Sequence, residues 1–72
     1  MSPEAFCTRV RQELVAASSD DAWVRGARGV CELYERSDAR RFESILVNLA
    51  KGRTGSAVAD GARWLLALWQ AP

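Results

Sequence analysis

This sequence predicts an all-α fold, a small up-down four-helix bundle, and three observations predict it. Twelve of the 72 residues are alanine, against five glycines and two prolines, a composition that favours helix. Apolar residues recur every three to four positions in four successive segments, and no segment sustains a two-residue alternation. Three clusters of cap and turn residues, Ser18-Ser19-Asp20, Ser37-Asp38 and Gly52-Arg53-Thr54-Gly55-Ser56, divide those segments. Connections this short favour antiparallel neighbours. A domain of this size buries only about 60% of its unfolded surface, so residues 1–72 have room for one core and read as a single helical domain.

Helix one is expected over residues 3–17. Ser2 stands at the N-cap, Pro3 occupies the first helical position where a missing N–H costs nothing, and Glu4 meets the positive end of the helix dipole. Phe6, Val10, Leu14 and Ala17 form its buried stripe, with Arg9, Gln12 and Glu13 outside it. Helix two is expected over residues 20–36, capped by Ser18 or Ser19 with Asp20 and Asp21 in its first turn. Trp23, Ala27, Val30 and Tyr34 carry its stripe; Val24 and Cys31 widen it on one side, Gly26 and Leu33 on the other. Arg28, Glu32 and Arg36 occupy the opposite face at spacings that let them pair. Gly26 and Gly29 each cost about 1 kcal/mol against alanine inside a helix, so they signal either a close helix approach or a local break.

Helix three, residues 38–51, follows Ser37 and buries Phe42, Ile45, Leu46 and Leu49, with Gly52 placed for a left-handed stop. Helix four, residues 56–70, sets Val58, Ala62, Leu65 and Trp69 on one face. A second apolar strip, Gly61, Trp64 and Leu68, runs beside it.

Histidine is absent, which removes the commonest general base and the commonest zinc ligand together. The nearest carboxylate pairs, Glu32 with Glu35, Asp20 with Asp21 and Asp38 with Glu43, lie at caps or on arginine-bearing faces. There they read as solvated or salt-bridged surface rather than as acid–base machinery. No catalytic residue, metal ligand set or cofactor is expected. The Gly52–Ser56 segment precedes a helix N-terminus and has the makings of an anion site, though an interhelical turn is the plainer reading. Cys7 and Cys31 are too few for a disulfide scaffold and lack metal-ligand spacing, which suits a reducing cytosol. Antiparallel pairing of helices one and two places them opposite each other, either as small reduced core residues or as a bridge. The longest apolar run, residues 64–69, falls far short of the roughly 20 residues of a membrane span. Met1–Glu4 shows no basic stretch followed by an apolar one. A cytoplasmic protein without membrane contact is expected.

A net charge of +1 gives no global pull toward nucleic acid. The charge is uneven, however: residues 37–55 hold Arg40, Arg41, Lys51 and Arg53 against two acids, while residues 1–24 hold four acids against two arginines. Arg40, Arg41, Asn48 and Lys51 fall on the outward half of helix three. That face is open to three readings: a solvated surface, a contact for an acidic protein, or the reading helix of a helix-turn-helix regulator that binds DNA as a dimer. On helix four the two strips together span an apolar arc of roughly 200°, wider than one inward face needs. Either one chain buries both strips, or Trp64 and Leu68, with Gly61 leaving a shallow groove beside them, contact a host protein or a second copy. The expected partner-binding residues are therefore Gly61, Trp64, Leu68, Arg40, Arg41, Asn48, Lys51 and Arg53.

The stretch from Phe42 to Ala71 resembles an uncharacterised family of short proteins from proteobacterial plasmids, prophages and integrated elements. The resemblance rests on the apolar helix ending Leu49-Ala50, the turn Gly52-Arg53-Thr54-Gly55-Ser56, and the run Ala62-Arg63-Trp64-Leu65-Leu66-Ala67-Leu68-Trp69-Gln70-Ala71. The family closes on two tryptophans and an asparagine, where this chain has Leu68, a single Trp69 and Gln70. It carries no assigned activity. What the resemblance implies is a mobile-element setting; by analogy, small binding proteins of such elements include inhibitors of host nucleic-acid-targeting defence complexes, in the manner of an anti-CRISPR.

Overall fold

In a computed structural model, which describes residues 1–17 and 21–71, the chain forms four helices: α1 (Pro3–Ala17), α2 (Ala22–Tyr34), α3 (Ala39–Ala50) and α4 (Ala57–Gln70). No strand occurs among the described residues. The molecule measures 28 × 27 × 24 Å. At 12 to 15 residues the helices are about 18 to 22 Å long, so each spans most of the width of the domain.

The termini of the helices follow from local chemistry. Ser2 Oγ accepts the Ala5 N–H at 3.1 Å, with Pro3 as the first helical residue. At α3 the cap is Asp38 rather than Ser37: its carboxylate accepts the Arg41 N–H at 2.8 Å, where a negative charge also meets the dipole. Ser56 Oγ accepts the Ala59 N–H at 3.4 Å and starts α4. Asp21 holds the N-cap position of α2 in an extended conformation, one residue ahead of the first turn rather than inside it. The expected caps Ser18 and Ser19, and Asp20, lie outside the described residues.

The left-handed stop is not at Gly52. Lys51 and the end of α3 stay right-handed, and the positive φ, 96°, belongs to Gly55. Gly52 is small for a different reason, since a Cβ there would stand 2.9 Å from Ala59 Cβ and 3.2 Å from the Leu49 carbonyl oxygen.

α4 is the central element, and both α2 and α3 pack against it. The contact with α2 is made by the absence of side chains. A Cβ on Gly26 would overlap the Ala57 carbonyl, and one on Gly61 would reach 2.8 Å from both Gly26 C and the Trp23 carbonyl oxygen. Gly26 thus marks a close helix approach, one of the two meanings the sequence left open. Gly29 meets nothing within 4 Å.

At the other end of α4, Trp69 stacks edge-on to Phe6 of α1 (5.0 Å between ring centroids, 90°) and to Phe42 of α3 (5.1 Å, 61°). Phe6 and Phe42 close the triangle at 5.9 Å. Around these rings lie Val10, Leu14, Val24, Ala27, Val30, Leu46 and Leu65, all buried, with Trp23, Tyr34 and Leu49 half-buried against them. Val58 departs from the expected core and is 46% exposed. The backbone contact at Ala57 fixes the roll of α4, so Ala59, Ala62 and Leu65 face inward and Val58 turns to solvent.

Candidate functional site

The central position of α4 accounts for its broad apolar arc. Gly61 is buried in the α2 crossing, so the close approach it permits is between helices of the same chain. Trp64 is half-buried and tilts against Trp23 at 5.3 Å. Leu68 is also half-buried, and it opens on a groove of about 580 Å³ between the N-terminal half of α1, the start of α3 and the end of α4. Phe6, Val10, Leu68 and Trp69 give this groove its apolar wall, with Met1, Ala39 and Ala71 beside them and Arg9 and Glu13 as its charged residues. Its volume falls in the range of small-ligand and side-chain pockets. Its lining is mostly apolar and contains no cysteine, serine, threonine or tyrosine, so what it chiefly offers is shape and apolar surface.

Arg40, Arg41, Asn48, Lys51 and Arg53 are all exposed. The first four share one side of α3, with exposed Ser44 among them, while Phe42 and Leu46 on the other side are buried. The structure therefore separates the eight expected binding residues into three groups. Gly61 belongs to the scaffold, Trp64 and Leu68 lie half-buried along α4, and the five polar residues stand together in solvent.

The Gly52–Ser56 turn is occupied by the protein's own charges. The Asp60 carboxylate accepts the Gly55 N–H at 3.1 Å, and Arg63 donates to Asp60 at 2.6 Å and also to the Gly52 carbonyl. An amide that would have to serve an external anion is thus already satisfied by an internal carboxylate, and the interhelical-turn reading fits better than the anion-site reading.

Cys7 and Cys31 are fully buried, and their thiols face each other across α1 and α2, as the antiparallel spacing predicted. They are free thiols. The hydrogen bond between them, with burial adding to it, pushes Cys7 strongly up; the same hydrogen bond, helped by the nearby Arg11 charge, pulls Cys31 down. Beside them an Arg11–Glu35 ion pair ties α1 to the end of α2. The hydrogen bond to Glu35 holds the Arg11 guanidinium more firmly charged. Among the described residues no three His, Cys, Asp or Glu side chains come together as a metal site, and no helix is long and apolar enough to cross a membrane.

Sequence reasoning missed the groove and the Asp60–Arg63 clamp. The i,i+3 spacing of Asp60 and Arg63 was a visible signal for a helix pair. Nothing local announced that Arg63 reaches back to Gly52, or that residues 1–13 meet residues 68–71. No family model matches the chain, and no curated protein or solved structure matches it.

Proposed function

We propose that this protein is a small, non-enzymatic interaction module of the cytoplasm, which takes an apolar helix of a protein partner into the groove between α1 and α4. The observation that carries this reading is the lining of the groove: two aromatic rings and two aliphatic side chains, with one arginine and one glutamate beside them. Tryptophan and arginine beside a concave apolar surface are the residue types that anchor protein interfaces. The resemblance of Phe42–Ala71 to proteins of mobile elements supplies the setting, in which the partner belongs to a host nucleic-acid-targeting defence complex.

The test begins with capture of the partner from the native host and ends with titration of the two purified proteins. Leu68→Asp places a charge on the groove wall. Ala39→Trp fills the groove from an exposed position and keeps the test independent of the fold. Each should weaken binding roughly tenfold or more while the circular dichroism spectrum stays that of the parent. Wild-type affinity in both variants would sink the proposal. Sedimentation of the isolated protein reports whether the occupant is instead a second copy, through a dimer that Leu68→Asp abolishes.

A further inference from the structure

Charges in the C-terminal part of the chain are paired in a lopsided way. Residues 35–63 contain four acids, and every one has a partner: Glu35 binds Arg11, Asp38 caps α3 through the Arg41 N–H, Glu43 accepts from Gln70 at 3.5 Å, and Asp60 holds both Arg63 and the Gly55 N–H. The same stretch contains Arg36, Arg40, Arg41, Lys51 and Arg53, all exposed, and among the described residues none of their side chains forms an ion pair. The carboxylates of this stretch are held by partners within the chain, and the five cationic side chains are left exposed.

The arrangement of that charge is regular. With 3.6 residues per turn, Arg40, Lys51, Ser44, Asn48 and Arg41 lie within an arc of about 100°, which contains no acid and no apolar residue. Arg40 and Lys51 are eclipsed along the axis and separated by a rise of about 16 Å. The major groove of B-form DNA is about 12 Å wide and admits an α-helix. A helix seated there would bring Arg40 and Arg41 to one phosphate lip and Lys51 and Arg53 to the other, with Ser44 and Asn48 between them facing the base edges. Arginine and asparagine are also the side chains that read guanine and adenine bidentately. α4 backs α3 from the opposite side, so the face is held on a rigid element.

We infer that the exposed face of α3 is a docking surface for duplex DNA, with Arg40, Arg41, Lys51 and Arg53 on the phosphates and Asn48 at the bases. This surface is separate from the α1–α4 groove and stands or falls independently of it.

The experiment is fluorescence-anisotropy titration of a labelled random-sequence duplex of roughly 20 base pairs, about two helical turns. The matching single strand and polyglutamate serve as competing polyanions. Wild-type protein should bind the duplex at low salt, and four phosphate contacts should weaken binding roughly 100-fold between about 50 and about 200 mM salt. Arg40→Glu combined with Arg41→Glu should abolish binding. Arg25→Glu combined with Arg28→Glu, which changes the net charge equally at exposed positions on α2, should leave most of it. Asn48→Ala should flatten any preference among defined sequences without altering the salt dependence. All the substituted positions are exposed, so circular dichroism should stay constant. Three results would overturn the inference: no duplex binding by the wild type at low salt, equal losses in the two charge-reversed variants, or polyglutamate displacing the duplex as well as unlabelled duplex does. The last would assign the face to an acidic protein.

Discussion

The two ends of α4 are held by opposite means. Near its start, α4 meets α2 through Gly26 and Gly61, where backbone lies on backbone and there is no space for a methyl group. At its far end, Trp69 meets Phe6 and Phe42, three large rings in edge-on contact. The first contact tolerates no added atom, and the second depends on having many. Close packing makes both strict, but the failures differ: steric overlap at the glycines, a void at the rings.

Substitutions can break that comparison in a defined order. Phe42→Ala, at a fully buried ring, should have the largest effect, a loss of about 3–5 kcal/mol by chemical denaturation, enough to unfold a domain this small. Phe42→Leu should restore much of it, since volume is what that site needs. Gly26→Ala should cost about 1–3 kcal/mol as the helices are forced apart, and no residue other than glycine should rescue it. Gly29→Ala sharpens the contrast. Three residues further along the same helix, nothing stands within 4 Å, so the methyl group should raise stability by about 0.5–1 kcal/mol through backbone entropy and appear as a higher melting temperature. Arg11→Gln should be the smallest change, about 0.2–1 kcal/mol and lessened by added salt, because the pair with Glu35 is substantially exposed.

The aromatic end was legible in the sequence and the glycine end only half so. Phe6, Val10, Leu14, Phe42, Leu46 and Leu65 follow the helical period and are buried, because a large side chain has few places to go in so small a domain. Gly26 and Gly29 look alike in a sequence; only the position of α4 distinguishes the one under a crossing from the one facing open space. Val58 shares the period of the core residues but not their burial, because periodicity does not set the roll of a helix against its neighbours. The cationic face of α3 was readable, since its residues belong to one helix and share its period. The groove was not, because it draws on both ends of the chain and exists only once Trp69 has reached Phe6.

The central place of α4 also bears on how the protein is made. A ribosome releases the chain from its N-terminus outward, so α1, α2 and α3 emerge before the helix on which they are assembled. Until residues 57–70 have followed, Trp69 is not there to pack on Phe6 and Phe42, and Gly26 has no backbone to meet. The segment before residue 57 therefore shows those apolar residues to proteases and chaperones until α4 has been added. A segment cut before residue 57 lacks the helix against which α2 and α3 pack.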